Sequence, residues 1–298
     1  MTLLAILLAL FATRQAVVPN YFKQIRWGYV YLAFFEKLSL TKRSQAAICY
    51  GLFVVPVMFV CWFVGTFQTE WMYDSADLAI STVFLVSIIG DRQLEIDMGP
   101  FLKRWRAQEW QSAYVHGDKI FCYTKTVGPG DLLSQTTTLY LLRINQMLFV
   151  PVFWYVIFGS AGLAMYLLTY IAGQSVANNP DHNSKCEVIS WQKIALEFLQ
   201  VLESLPARLV ALSIGVLNLN WKAMVVAFRR YRVTDREAEI VLKLAVKSAL
   251  NFSELSEDQG LLAEEGAARF QAMQELKNNV LMFWVIIVAV LSLLGFVL

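Results

Sequence analysis

The stretch Gln45–Phe67, QAAICYGLFVVPVMFVCWFVGTF, carries no charged residue over its whole length. A helix needs about 20 apolar residues to cross the hydrocarbon layer, and Gln45–Phe67 satisfies that with Pro56 inside, which a bilayer helix tolerates. Val280–Leu298, VLMFWVIIVAVLSLLGFVL, is equally free of charge. Residues 75–90 form a shorter apolar run that starts beside Asp77, with Trp71 and Tyr73 placed as interface markers. These three stretches are the secure spans, and they fix the expectation of an all-α, polytopic helical membrane protein forming a single domain over residues 1–298.

Composition agrees. The 298 residues are 57% hydrophobic and 16% charged, with a mean hydropathy of +0.51, against roughly 45–50% and 25% in soluble domains. The excess of apolar side chains is larger than a globule of this size can hide, and lipid is the simpler place for it. The formal charge of +2 comes with no basic stripe free of acids, which argues against a nucleic-acid partner. Four cysteines without a C-x-x-C pair, and only His116 and His182 beside them, leave too few ligands for a zinc site. No cofactor is expected. The apolar start, Met1–Phe11, lacks a preceding cation and a small-x-small site, so it is read as retained rather than as a cleaved signal.

The middle of the chain leaves alternatives open. Residues 137–172 are long enough to span but hold Arg143 and Asn145, and Gly159, Ser160 and Gly162 interrupt the run. Either one long tilted helix ends near Gly173, or two half-helices form a re-entrant hairpin with its tip at Gly159–Gly162, which requires surrounding protein. Residues 2–18 and 207–221 are further short apolar stretches, giving about four to six membrane-embedded helices in all by this length criterion. Trp191, Ile194, Ala195, Phe198, Leu199 and Leu202 recur at helical spacing opposite Lys193, Glu197 and Gln200, the pattern of an amphipathic helix. Thr234 with Glu237, and Ser256 with Gln259, are capping boxes that open two more helices.

Orientation follows from charge. The stretch from Arg14 to Arg43 holds six Lys or Arg against Glu36 alone, so this loop is expected to be cytoplasmic. Gln68–Asp77 carries Glu70, Asp74 and Asp77 and no cation, as an outside loop would. Lys103, Arg104 and Arg106, and later Arg229, Arg230 and Arg232, return the chain to the inside, leaving Leu298 on the periplasmic side.

Arg208 is the first candidate binding residue. An arginine within a bilayer helix costs at least ~2.5–3.5 kcal/mol, so it must face protein, water or a ligand. Pro206 is expected in the first turn of the helix, which would leave free N–H groups and a partial positive charge beside the guanidinium, a cradle for a carboxylate or phosphate. The alternative is that Arg208 snorkels or pairs with Glu203. Arg143 and Asn145 pose the same choice between interhelical glue and a shared polar pocket. No G-x-S-x-G, H-E-x-x-H or Walker loop is present, and no catalytic residue is assigned.

Met1-Thr2-Leu3, the basic stretch with Phe34-Phe35, the block Val150-Pro151-Val152-Phe153-Trp154 and Leu205-Pro206-Ala207-Arg208-Leu209 together resemble the AmpE family, inner-membrane proteins linked to β-lactamase induction. That family is similar in turn to the cobinamide-phosphate synthases of CobD/CbiB type. The resemblance implies a regulatory or signalling protein of the bacterial inner membrane, sensing cell-wall fragments. An anionic wall fragment or a nucleotide would be its ligand, and the lipid bilayer and a cytoplasmic protein its partners. The synthase alternative would need acidic groups for Mg²⁺ and phosphoryl chemistry. Thr13–Gly28 lacks the expected Gly-Asp-Pro and His-Pro, and Leu199 and Gln200 stand where paired Asp is expected before Pro-Ala-Arg-Leu. Synthase activity is therefore not expected. A small-solute transporter is the second alternative, motivated by the break at Gly159–Gly162.

Overall fold

The computed structural model describes residues 2–14, 31, 43–66, 71–89, 91–121, 123, 128–177, 190–228, 237–250 and 259–294. Most of the basic stretch between Arg14 and Arg43, Glu70, Cys122, His182, Cys186, Arg229–Arg232, Thr234 and Ser256 lie outside the described residues. Every regular element among those described is helical: α1 Thr2–Arg14, α2 Arg43–Thr66, α3 Trp71–Ile88, α4 Asp91–Arg106, α5 Trp110–Phe121, α6 Pro129–Ile144, a π-helical turn Asn145–Phe149, α7 Val150–Ala177, α8 Ser190–Leu217, α9 Trp221–Phe228, α10 Glu237–Leu250 and α11 Gln259–Leu293. Three helical stretches, Pro129–Gly173, Lys193–Leu217 and Leu261–Leu293, are long and apolar enough to cross a membrane, and Leu3–Thr13 and Ile48–Phe63 are shorter apolar helices. This is an all-α protein of membrane type.

The contacts gather into two compact units. The first comprises Met1–Gly90, Val150–Glu203 and Val288–Leu298, in which α2 and α3 pack on α7 and α1 packs on α3. On α2, Phe53, Val57 and Cys61 recur every four residues and share the inner face; Cys61 and Val57 meet Ala161, Ala164 and Phe84. The opposite face, with Ile48, Leu52, Val55, Phe59 and Trp62, is just as apolar and is exposed. A helix oily on both sides is stable only if the outer face meets lipid or protein rather than water. The Tyr50 hydroxyl donates to Thr169 Oγ1 (2.7 Å), which donates to the Met165 carbonyl (2.8 Å), tying α2 to α7.

Helix α7 is interrupted at Gly159. That residue has φ +62° and ψ −149°, outside helical geometry, and only glycine enters this region without strain. A Cβ placed on Gly162 would overlap the carbonyl oxygen of Trp154 and stand 2.7 Å from Phe158 Cβ. In a straight helix residues 154 and 162 lie about 12 Å apart along the axis. The helix is therefore sharply kinked at Gly159, and the segments on its two sides come close where Gly162 lacks a side chain.

In the first half of α8, Trp191, Ala195, Leu199 and Leu202 of the apolar face are buried, Ile194 is partly buried, and Phe198 is exposed like Lys193 and Glu197 on the polar side. Trp191 packs on Phe53 at 5.4 Å. The helix then runs without interruption to Leu217. Pro206 is thus interior, not the opening residue expected from the sequence. Having no N–H, it leaves the carbonyl of Leu202, one turn back, without a helical donor. The indole Nε1 of Trp154 donates to that carbonyl at 3.1 Å.

The second unit comprises Asp91–Phe149 and Ser204–Ile287. An aromatic cluster holds it. Phe101 stacks on Trp105 (5.8 Å) and meets Phe270 edge-on (5.9 Å), Trp105 meets Trp110 (4.7 Å), and Phe270 meets Tyr140 (5.8 Å), so α4, α5, α6 and α11 share one core. Gly266 on α11 allows it, because a Cβ there would overlap the indole of Trp105. Lys277 Nζ, buried on α11, pairs with Glu95 on α4. Lys277 is the last charge before the apolar run from Val280. That run is the end of a 35-residue helix of about 52 Å, longer than the ~30 Å hydrocarbon layer. Near α6, the Tyr123 hydroxyl donates to Thr136 Oγ1 (2.6 Å), which donates to the Leu132 carbonyl (2.6 Å).

Two outcomes are expected. Trp154→Phe, which removes the donor to Leu202, lowers stability by about 1–2 kcal/mol. Pro206→Ala restores a backbone N–H, so it should recover much of that loss when combined with Trp154→Phe, as thermal unfolding in detergent would show. The Tyr123 hydroxyl is pushed up to about 12 by burial, against the lowering effect of Thr136. The buried phenol favours its neutral form, so its contribution to stability is intact below pH ~10 and lost as pH rises towards ~12. Ultraviolet difference titration of wild type against Tyr123→Phe should show one phenol ionising late.

Candidate functional site

The polar residues singled out from sequence lie on three elements of the second unit and at one position of the first. Arg143 stands in the last turn of α6, and Asn145 opens the π-helical turn two residues later. A π turn widens the backbone by one residue per turn and, as a local defect, is frequent at functional sites. Here the Asn145 N–H is shared between the carbonyls of Leu141 and Leu142. The side chain it carries inward is 1% exposed, and neither its Oδ1 nor its Nδ2 has a hydrogen-bond partner among the described residues. Burying such an amide unmet costs of order 1–3 kcal/mol. Arg143 beside it is half-buried.

Four residues beyond Asn145, Phe149 packs edge-on against Trp284 of α11, with ring centroids 5.3 Å apart. Trp284 Nε1 donates to Ser213 Oγ on α8 at 3.0 Å, and Ser213 donates to the carbonyl of Leu209 at 2.8 Å. The π turn, the terminal helix and the turn of α8 that follows Arg208 are in this way linked by one chain of contacts. Trp284 and Ser213 were not singled out from the sequence. Their signal was available in outline, since a lone polar group within an apolar helix usually bonds across to a neighbour.

Arg208 is half-buried in the interior of α8, on the same helix as the buried Glu203, which belongs to the first unit. The cradle expected beside Arg208 does not form. It required Pro206 in a first turn with free N–H groups, and sixteen helical residues precede Pro206, from Ser190 to Leu205. Amides in mid-helix are already bonded to carbonyls and present no dipole end. Whatever Arg208 does, it does through the guanidinium alone.

The remaining features are weaker. An open, shallow depression is lined by Glu109, Trp110, Gln111, Ser112 and Val115, and it includes none of the residues above. Among the described residues no group of three or more His, Cys, Asp or Glu side chains could hold a metal ion. Cys49 and Cys61 are buried free thiols inside α2.

Asn145 therefore offers a donor and an acceptor, enclosed in an apolar setting where a hydrogen bond is strong. If the carboxamide serves a ligand rather than the fold, Asn145→Leu removes an unmet polar group and should leave the protein as stable or raise it by about 1–2 kcal/mol. Asn145→Asp should destabilise it, since a carboxylate there is buried without its own partners. Thermal unfolding of the two variants in the same detergent checks both signs. No family model, no curated protein and no solved structure matches the chain.

Proposed function

We propose that the chain is an AmpE-like regulatory protein of the bacterial inner membrane that couples cell-wall fragments to β-lactamase induction and does no chemistry of its own. The observation that carries this reading is the enclosed, unmet carboxamide of Asn145 on a π turn beside Arg143. An amide and a guanidinium two residues apart suit a ligand with a carboxylate and peptide groups, because the planar guanidinium takes a carboxylate with two N–H donors and the amide can both give and accept. A muropeptide has these groups; a nucleotide would use the same guanidinium through phosphate. The resemblance of residues 150–154 and 205–209 to the AmpE pattern supports the family half of the proposal. The charge asymmetry of the loops supports the orientation, with residues 14–43 cytoplasmic and the C-terminus periplasmic. Cytoplasmic helices would then be available to a protein partner.

A second reading, a small-solute transporter, draws on one observation. Helix α7 is kinked at Gly159, and transporters place midplane sites at such breaks.

The test is genetic. Deletion of the chain, and separately Asn145→Leu, Arg143→Gln and Arg208→Lys at unchanged protein level, should each alter β-lactamase induction by a β-lactam. Induction indistinguishable from wild type in the deletion strain removes the regulatory reading. Accumulation of labelled muropeptide in proteoliposomes, dependent on Gly159, would replace it with the transporter.

A further inference from the structure

The end of α8 and all of α9 form a corner whose outer side is apolar and exposed. Leu219 is 90% exposed, Trp221 and Phe228 are each 74% exposed, and Val216, Leu217 and Val225 are also exposed. On α9 the exposed residues Trp221, Val225 and Phe228 follow one another at four and three residues, a single stripe. The opposite stripe, Ala223 and Ala227, is buried; Ala227 packs with Ala211 of α8 and with Val241 and Ala245 of α10.

The corner is rigidly built. Helix α8 ends in a Schellman closure: the Asn220 N–H bonds to the Gly215 carbonyl (2.8 Å) and the Leu219 N–H to the Val216 carbonyl (3.2 Å). The position in that closure that adopts the left-handed conformation is normally glycine, yet here it is Leu219, with φ +49°. A leucine held in a strained backbone to point away from the protein gains nothing from the fold itself. Asn220 then caps α9, its Oδ1 accepting from the N–H groups of Lys222 (3.0 Å) and Ala223 (3.4 Å), while its Nδ2 donates to the Ser248 carbonyl on α10 at 2.6 Å. Gly215 admits α9 closely, because a Cβ there would stand 2.9 Å from the Met224 nitrogen.

What covers this corner is indicated by charge and place. From Ser204 to Thr234 the sequence holds five cations, Arg208, Lys222, Arg229, Arg230 and Arg232, and no carboxylate. Lys222 is exposed on α9. Helix α9 begins four residues after Leu217, where a stretch long and apolar enough to cross a membrane ends, which puts it at the level of the headgroups. Tryptophan with flanking basic residues is what that layer accommodates, and a short helix with an apolar outer stripe lies in it. We infer that α9, with Leu219, is an interfacial anchor that inserts Trp221, Val225 and Phe228 among the acyl chains of anionic phospholipids while Lys222 meets their headgroups.

The full-length protein in lipid nanodiscs tests this by tryptophan quenching. Wild type minus Trp221→Phe isolates the emission of Trp221, and the replacement keeps the surface aromatic. Lipids brominated near the headgroup should extinguish most of that emission. The loss should be deeper in discs containing phosphatidylglycerol than in phosphatidylcholine alone, and Lys222→Glu should abolish the difference between the two. The inference is overturned if Trp221 is quenched by aqueous iodide and not by bromolipid, which places it in water. It is overturned equally if neither quencher reaches Trp221, which means another protein or a second copy covers it, or if the two lipids quench alike. None of these readouts depends on β-lactamase induction.

Discussion

A backbone carbonyl that has lost its helical donor must find another one wherever water is scarce, and the carbonyl of Leu202 is in that position because Pro206 has no N–H. The donor it finds is the indole of Trp154. Trp154 comes from the half of α7 that precedes Gly159, and its own carbonyl is the group that would collide with a side chain on Gly162. One residue therefore serves two constraints at once, completing the ladder of α8 and bordering the close approach at the kink of α7. The rest of the first unit is organised around α7, since α2 and α3 both pack on it.

Some polar groups inside the second unit follow the same rule, and Asn145 does not. Trp284 gives its N–H to Ser213, and Ser213 gives its proton to Leu209. Lys277 enters the protein with Glu95 beside it, at the point where charge disappears from α11. Asn145 has no hydrogen-bond partner for either end of its amide among the described residues. Proteins retain such a group in an apolar interior against a cost in stability, and a role in recognition is one physical reason to keep it. The π turn beneath it makes the placement feasible, by rotating the side chain out of register with the α6 face before α7 begins.

The exposed corner at α9 shows the complementary case, apolar groups outside. Scattered exposed hydrophobics need no explanation, but Leu219, Trp221, Val225 and Phe228 are gathered, opposed by a buried alanine face, and fixed by a cap and a helix closure. Together with the outer face of α2 and the exposed apolar residues of α1 and α11, they take up part of the surplus of apolar residues in this sequence.

Residue pattern alone determined that the protein is all-helical and suited to a membrane, because uncharged runs such as 45–67 and 280–298 have no other stable use; helices 43–66 and 259–293 contain or closely match them. The inward placement of Trp191, Ala195, Leu199 and Leu202 was legible too, since helical periodicity is local, whereas Phe198 of the same pattern is exposed. Tertiary structure alone decided the rest. The close approach of Gly162 to Trp154, eight residues earlier, exists only because of the kink at Gly159. Whether Pro206 starts a helix or sits within one depends on a donor fifty-two residues away in sequence. The meeting of Phe101, Trp105, Tyr140 and Phe270, and the partnership of Glu95 with Lys277, are likewise distant pairings. Chain order does not encode distance in space, so a hydrogen bond or a ring contact between remote residues becomes visible only when the chain has folded.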